Sequence, residues 1–489
     1  MTEPLSYELS SPGRIGIEMP ALDVEKAKLP ESLVRDDLPL PELSEIDVVR
    51  HFTRLSQLNH GVDTGFYPLG SCTMKYNPKI NEEVARLPGF ALTHPLQDLA
   101  LLQGNLALMY AVQQWLMEIG GFCAVSLQPA AGAQGELTGI LIIRSYHEDR
   151  GDDERNIILV PDSAHGTNPA SIAMSGMQVI EVPSDSRGNI DIDALRGYCD
   201  DSVAGLMLTN PNTLGLFEEH VLDVIQVVHD CGGLVYGDGA NMNAMLGVVR
   251  PGDLGFDILH YNLHKTFSTP HGGGGPGSGP VGVAAHLADF LPSPIVEIVE
   301  LGDENIPPLY GLVEPAKSIG RVKLFQGHFG VLVRAYAYMR MQGSEGLRNI
   351  ADHAVLNANY LRVLLKDTFE IPYDRICMHE FVAEGHWQDV PEIHALDISK
   401  RMMDFGFHPP TNYFPLIVPE ALMIEPTETE SKQTLDAFVD AMRQIAREAR
   451  ENPEILTTAP HETPFGRMDE VRAAKQLVLC CWPVDETKR

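Results

Sequence analysis

From Cys123 to Ala285 short apolar runs alternate with segments of helical period, and that rhythm restricts the fold more than any other feature of the chain. Cys123 to Leu127, Asn156 to Pro161, Gln178 to Val182, Val203 to Thr209, Leu234 to Gly237, Phe256 to Leu263 and Val281 to Ala285 read as strands. Between them, Ala133 to Tyr146, Ile192 to Tyr198 and His220 to Asp230 have helical spacing, and Ser163 to Ser175 reads as a loop that opens a helix. Strands this short and apolar are covered on both sides. They predict an α/β fold, an open and mostly parallel sheet with helices on both faces. In such sheets ligands bind beyond the carboxyl ends of the strands, so the functional residues are sought in the loops that follow them.

The flanks differ in character. Residues 1–75 carry many prolines and acidic groups, with little periodicity before Asp47, and read as an extended N-terminal arm lying over another surface such as a second subunit. Gly65 to Pro78 is too rich in turn formers and hydroxyls for a helix or strand; its Ser71, Thr73, Lys75 and Asn77 are candidates to hold an anion. Residues 76–320 form the large α/β domain, in which Pro95 opens a helix running to Ile119. Residues 321–489 read as a linking helix, Phe325 to Met341, and a smaller α+β domain. That domain is expected to have helices at Leu347 to Thr368, 395–405 and 430–450, with strand-like runs near Cys377 to Val382, Tyr413 to Ile417 and Leu477 to Trp482.

The 489 residues carry 36 basic and 67 acidic side chains, a formal charge of −31. A surface of that sign repels phosphate backbones and anionic lipid, so neither nucleic acid nor membrane is an expected partner. No apolar run reaches the roughly 18 residues that a spanning helix needs. The opening Met-Thr-Glu-Pro-Leu-Ser-Tyr-Glu is unlike a targeting peptide. Seven scattered cysteines without a Cys-x-x-Cys pair argue against a disulfide framework and a structural zinc, and no metal is expected. Cys480 and Cys481, in an apolar run, read as small core residues. A reducing cytoplasm is the expected setting.

Five strand-end loops carry candidate chemistry. After Leu127, Gly132, Ala133, Gln134 and Gly135 open a helix, where free backbone N–H groups favour a phosphate. No Gly-Lys-Ser/Thr follows, which excludes a triphosphate loop. After Pro161, His165 stands among small residues, where a flat imidazole can stack on an aromatic ring. After Thr209, a turn from Asn210 to Gly215 is suited to positioning a ring or substrate oxygen. After Gly237 comes Asp238, an acid that a strand end tolerates only with a cationic partner. After Leu263 come His264 and Lys265, ahead of the glycine run His271 to Gly277. A lysine in a dry cleft is a Schiff-base candidate, because the neutral amine is the nucleophile. Singly, each of these is also what an ordinary turn looks like. Together, a phosphate cradle, a stacking imidazole, an acid and a lysine are what pyridoxal 5'-phosphate requires.

Five stretches carry a resemblance: Gly70-Ser-Cys-Thr-Met-Lys75, Gly132-Ala-Gln-Gly-Glu136, Ser163-Ala-His-Gly-Thr-Asn-Pro-Ala-Ser171, Asp238-Gly-Ala-Asn-Met-Asn243, and Asn262-Leu-His-Lys-Thr-Phe267 with His271-Gly-Gly-Gly-Gly-Pro-Gly277. They resemble the P-protein family of the glycine cleavage system, and more closely the lysine-bearing half, subunit 2, of its split bacterial form. The resemblance implies a fold-type I pyridoxal-phosphate enzyme, a glycine dehydrogenase of the aminomethyl-transferring kind. Glycine would lose carbon dioxide and its aminomethyl group would pass to the lipoyl arm of the H-protein. It implies Lys265 as the covalent lysine, Asp238 as partner of the pyridine nitrogen and His165 as the stacking ring. Further cofactor contacts fall on Ala133, Gln134, Gly135, Thr209 and Ala240, and Lys265, His264 or His271 is the proton donor. A companion P-protein subunit 1 in an α2β2 heterotetramer is implied as well. Decarboxylases and desulfurases of the same fold share the cofactor motifs, but the Gly70 to Lys75 loop and the four-glycine loop fit the P-protein better. A non-catalytic scaffold has no need to keep both Lys265 and Asp238.

Overall fold

The computed structural model describes residues 3–34, 40–271 and 277–479; Cys480, Cys481 and the glycines directly after His271 lie outside them. Strands β1 (Ala124–Ser126), β2 (Ile157–Pro161), β3 (Gln178–Val182), β4 (Val203–Thr209), β5 (Leu234–Gly239), β6 (Ile258–Tyr261) and β7 (Val281–Val283) form one sheet, in the order β1-β7-β6-β5-β4-β2-β3. From β3 to β6 every neighbouring pair is parallel, whereas β7 runs antiparallel to both β6 and β1. The alternation of sequence periods thus becomes the expected α/β sheet, and all seven strands are present.

Burial explains why these strands lack a polar face. All seven residues of β4 are buried. Val203, Leu206 and Leu208 join an apolar layer with Leu106, Val112 and Leu116 of the helix Gln103–Gly120. Ala204 and Met207 join the opposite layer with Ile140, Ile142 and Ile143 of the helix Gly132–Arg150. That second helix lies so close to the sheet that a Cβ on Gly139 would stand 2.3 Å from the Tyr236 ring. The parallel register sets Thr209 beside Asp238, and Asp238 beside His260. Three polar side chains therefore form one row at the carboxyl end of β4, β5 and β6.

The helix Phe329–Leu365 joins two cores. Val331, Leu332 and Tyr338 pack into the core of the large sheet, and Ala358, Leu361 and Leu365 into a separate one. Gly343, at φ 63°, breaks its regularity between the two halves. The second core is built on a small antiparallel sheet, β10 (Phe381–Glu384), β12 (Ala421–Ile424) and β11 (Thr411–Asn412), with the helices Ala395–Asp404 and Lys432–Glu451.

Several expected elements are displaced. The helix expected from Pro95 begins at Gln103, because the Asp98 side chain accepts from Ala100 N and caps a 3-10 turn instead. The run Tyr413 to Ile417 is not a strand; pairing falls to residues 411–412 and 421–424. The run near Cys377 becomes a strand only at Phe381. Leu477 to Leu479 are exposed and unpaired, and 480–482 lie outside the described residues. A strand needs a partner for its N–H and C=O groups, and an apolar run without one stays irregular. Elements that the periodicity did not announce include the hairpin β8 (Ile295–Glu300) and β9 (Leu309–Val313), the helix Lys79–Ala85, and the helix Glu45–Gln57 inside the arm. That helix starts at a capping box between Ser44 and Asp47.

Ahead of β6, Asp257 accepts from Val235 N at 2.7 Å and pairs with His229 Nε2 at 2.8 Å; His286 Nε2 stands 3.4 Å away. The bond to Asp257 raises the His229 pKa. The pair's contribution to stability is therefore full below about pH 6.5, the imidazole's ordinary value, and is lost as the pH climbs through the raised folded value. The urea midpoint of His229→Gln should fall below that of the parent chain at about pH 6, and the gap should close by about pH 9. A gap independent of pH would contradict the pairing.

Candidate active site

A cavity of about 200 Å³ opens where the row Thr209, Asp238, His260 meets the loops beyond the sheet. Lys265 and His264 line it from the loop after β6, Asp238, Ala240 and Asn241 from the end of β5, and Thr209 and Thr213 from that of β4. His165 and Thr167 enter from the turn after β2; Gly132, Ala133 and Glu136 enter from the helix after β1. Five loops far apart in sequence thus converge because consecutive strand ends share one sheet edge.

Lys265 Nζ makes no hydrogen bond or ion pair among the described residues, yet its charge acts on Asp238, Glu136, His165, His260 and Glu425. Asp238 is buried, with Oδ1 accepting from Ala240 N at 3.0 Å and standing 3.6 Å from His260 Nε2. Burial favours its neutral form. His260, the Ala240 N–H, Lys265 and His165 outweigh that and hold the carboxyl below its usual range. His260 is itself clamped, its Nδ1 2.6 Å from Tyr236 OH and its Nε2 2.9 Å from Asn262 Nδ2.

The helix Gly132–Arg150 begins at Ala131 with no side-chain cap. The Gly135 N–H is taken up by Ala131 O, and the Gln134 side chain turns away to Ala130 N and Val322 O. Gly132, Ala133 and the Gln134 backbone therefore remain as the cradle, while Gly135 packs on the sheet, where a Cβ would meet Gly279 O and His260 Cβ at 2.9 Å. At the opposite wall, Thr209 Oγ1 and both amide atoms of Asn241 are buried without a partner. An anion-binding helix end, an unpartnered hydroxyl, a deep carboxylate and an uncommitted lysine together fit pyridoxal phosphate.

His165 presents its edge to Phe414 of the smaller unit, with ring centroids 5.6 Å apart. Burial lowers its pKa, an effect that the nearby Asp238 opposes. Burial, aided by neighbouring positive charge, also pushes His264 down to about 3 and His271 to about 4. Both rings are neutral at physiological pH, so neither is an imidazolium donor here. Lys265 and His264 also line a second cavity, of about 300 Å³, with His60, Tyr67, Thr73 and His271.

Backbone and side-chain donors of the loop Gly70 to Lys75 are taken up within the chain. Ser71 N donates to Glu380 Oε2 at 2.6 Å and Thr73 N to Glu425 Oε2 at 2.9 Å. Lys75 Nζ is buried between Glu428 Oε1 at 2.6 Å, Thr266 O at 2.7 Å and Tyr338 OH at 3.2 Å. The acceptors are the chain's own carboxyl groups, beside which Ser71 and Thr73 adopt φ 61° and 49°. Burial first, then the neighbouring carboxylate, pushes Glu380 well up, and burial takes Glu425 to about 7. Glu380 and Glu425 carry no local signal in the sequence, Thr167 stands in a motif without a role, and Glu136 closes the turn that the resemblance gives as the phosphate-binding loop.

The family described as "Glycine dehydrogenase, C-terminal domain" matches residues 350–461. Over 480 residues the chain is 56% identical to the probable glycine dehydrogenase (decarboxylating) subunit 2 of Caldanaerobacter subterraneus subsp. tengcongensis, covering 97% of this chain and 98% of that one. The protein of the same description from Bacillus cytotoxicus is also 56% identical, over 97% of this chain and 96% of its own length. Among solved structures, an inhibitor-bound glycine decarboxylase (P-protein) of the glycine cleavage system superposes with a TM-score of 0.72 at 20% identity, covering 85% of this chain and 93% of that one. The glutamate decarboxylase of Lactobacillus brevis gives 0.64 at 15% identity, covering 89% and 96%. These two likenesses show the shared fold, that of the fold-type I pyridoxal-phosphate enzymes.

Proposed function

Since the chain belongs to the glycine dehydrogenase (decarboxylating) subunit 2 family, we propose that it removes carbon dioxide from glycine and passes the aminomethyl group to the lipoyl arm of an H-protein. The observation that carries this reading is Lys265, uncommitted in a cavity that is also lined by the buried Asp238 and by the start of an uncapped helix.

Pyridoxal phosphate, when bound, supplies the electron sink for the pair left behind as carbon dioxide departs. Lys265 would be the residue that holds it covalently. The N–H groups at Gly132 to Gln134 take the phosphate, aided by the positive end of the helix. Asp238 remains ionised and so keeps a proton on the pyridine nitrogen. Thr209 Oγ1, otherwise unpartnered, donates to the ring oxygen, and Ala240 and His165 enclose the ring. His264, neutral and placed on the wall between the two cavities, steers the incoming arm rather than charging it. The second cavity admits that arm, because it alone shares Lys265 with the first among the described cavities.

The arm of the chain argues for a companion. Ile15, Ile17, Met19, Leu22 and Val24 are 69 to 75% exposed, more apolar surface than one short segment leaves in water without a partner. We assign that face to a subunit 1, in an α2β2 assembly, with 1–75 as arm, 76–320 as cofactor domain and 321–489 as linking helix and small domain. No helix among the described residues is long and apolar enough to cross a membrane, and the cytoplasm is the setting proposed. Carbon dioxide release from carboxyl-labelled glycine should require pyridoxal phosphate, a companion subunit and a lipoylated acceptor together. Release from another amino acid in preference to glycine would overturn the reading.

A further inference from the structure

Glu136 lines the cavity and is 4% exposed. Its Oε1 lies 2.8 Å from Thr167 Oγ1 and its Oε2 3.2 Å from Ser171 Oγ. Thr167 Oγ1 in turn lies 2.8 Å from His165 Nδ1, which also accepts from Thr167 N at 3.3 Å. The three groups form an unbroken line from a carboxylate to an imidazole whose other nitrogen, Nε2, has no protein partner among the described residues.

A hydroxyl has one proton to donate, so the two ends of this line are linked. When Glu136 is ionised it can only accept. Thr167 must then donate to it and accept from His165, which places the imidazole proton on Nδ1, gives up the long bond from Thr167 N and leaves a lone pair on Nε2. When Glu136 carries a proton the line reverses. Glu136 donates to Thr167, Thr167 donates to Nδ1, and the imidazole proton sits on Nε2. The two states differ by one proton, and His165 is neutral in both.

We propose that Glu136, Thr167 and His165 form a proton relay in which Glu136 stores the proton and His165 Nε2 delivers or collects it in the cavity. The inference rests on the reaction proposed above. Glycine enters as an ammonium ion and must lose a proton before its nitrogen can bond. That proton goes to Nε2, while Nδ1 passes its own to Thr167 and Thr167 passes its own to Glu136 Oε1. After transfer of the aminomethyl group, the second lipoyl sulfur leaves as a thiolate. It takes the proton back from Nε2, and Glu136 returns to the carboxylate. No oxidant or further reactant is needed.

The surroundings suit a store that fills and empties near neutrality. Burial, with the Asp238 charge from the end of β5, pushes Glu136 up to about 7, against the bonds from Thr167 and Ser171 and the charge of Lys265. His165 and Thr167 face it from the turn after β2, and His260 of β6 packs beneath Gly135 one residue away. Desolvation by the cavity walls lowers the His165 pKa although the residue is solvent-exposed, which favours the neutral ring.

Nitrogen NMR of the full chain with 15N-labelled histidine reads the tautomer directly, with His165→Gln identifying the signals. The expected result is an exchange of the proton from Nε2 to Nδ1 as the pH rises through about 7. The exchange should be absent in Glu136→Gln, which cannot take up the proton, and in Thr167→Val, which breaks the line. One tautomer held unchanged between about pH 5.5 and 8.5 in the parent chain, or an exchange that persists in Glu136→Gln, would overturn the relay. In turnover with lipoyl acceptor, Thr167→Val should lose about 100-fold, and Thr167→Ser, which keeps the hydroxyl, should recover most of it. Equal rates for Val and Ser would also overturn it. The tautomer signal needs no turnover, so an error in the assigned reaction shows as missing carbon dioxide with the exchange intact.

Discussion

Lys265→Ala should remove glycine-dependent carbon dioxide release altogether, a loss of about 1,000-fold or more. The chain should remain folded, because Lys265 Nζ holds nothing else together among the described residues. Pyridoxal phosphate should still reach the site, held by the helix end at Gly132 and by Asp238, but more weakly and without the visible band of a lysine-bound cofactor. The measurement is an absorption spectrum of parent and variant with added cofactor, followed by a glycine titration. A variant that keeps both band and turnover would remove Lys265 from the reaction. Loss of the band together with loss of folded structure would move the lysine to a structural role, and far-ultraviolet circular dichroism distinguishes the two.

Lys75→Met should destabilise the chain by about 3–5 kcal/mol, the usual cost of breaking a buried ion pair from one side. Against a typical total of about 5–15 kcal/mol this is a large share. The methionine fills the space of the lysine stem but leaves Glu428 charged in a dry site, where its Oε2 already lacks a partner. Burial alone disfavours the ammonium, and Glu428 and Tyr338 more than reverse that, so Lys75 titrates above its ordinary range. Adding Glu428→Gln should restore part of the loss, because the unpaired charge goes with it. Urea unfolding of the two singles and the double reads this coupling; simple additivity would mean that the pair contributes nothing. The location gives the pair its leverage. Lys75 ties the loop Gly70 to Lys75 to Thr266, next to Lys265, and to Glu428 of the smaller unit. The loss should therefore weaken cofactor binding as well as stability.

The strands of the large sheet were legible because their signal is local. A run such as Val203 to Thr209 is apolar on both faces, and no distant residue is needed to recognise it. The placement of the candidate residues Asp238, Lys265, His165 and Thr209 was legible for the same reason: each lies at or within four residues of the end of such a run, and strand ends meet at one sheet edge whatever the loops do. Where the argument relied on apolar character alone it erred. Leu477 to Leu479 and Tyr413 to Ile417 are as apolar as strands, but pairing requires a neighbour that no local pattern names.

Contacts across the chain were invisible for a related reason. Ser71, Thr73 and Lys75 read as donors that could hold an anion. Their acceptors are Glu380, Glu425 and Glu428, which lie 309, 352 and 353 residues further along the chain. Glu136 and Thr167 likewise become one hydrogen-bonded line only when two helices pack side by side. Periodicity and strand-end placement are properties of neighbouring residues and survive in the one-dimensional text. The partners that complete buried hydrogen bonds, and the shifts that burial imposes on Glu136, Glu425 and His264, are properties of the packed interior. Local pattern prescribes the α/β sheet and the chemistry at its edge; the packing of distant segments selects which side chains complete, hold and titrate that chemistry, because desolvation and pairing act only once the chain has closed on itself.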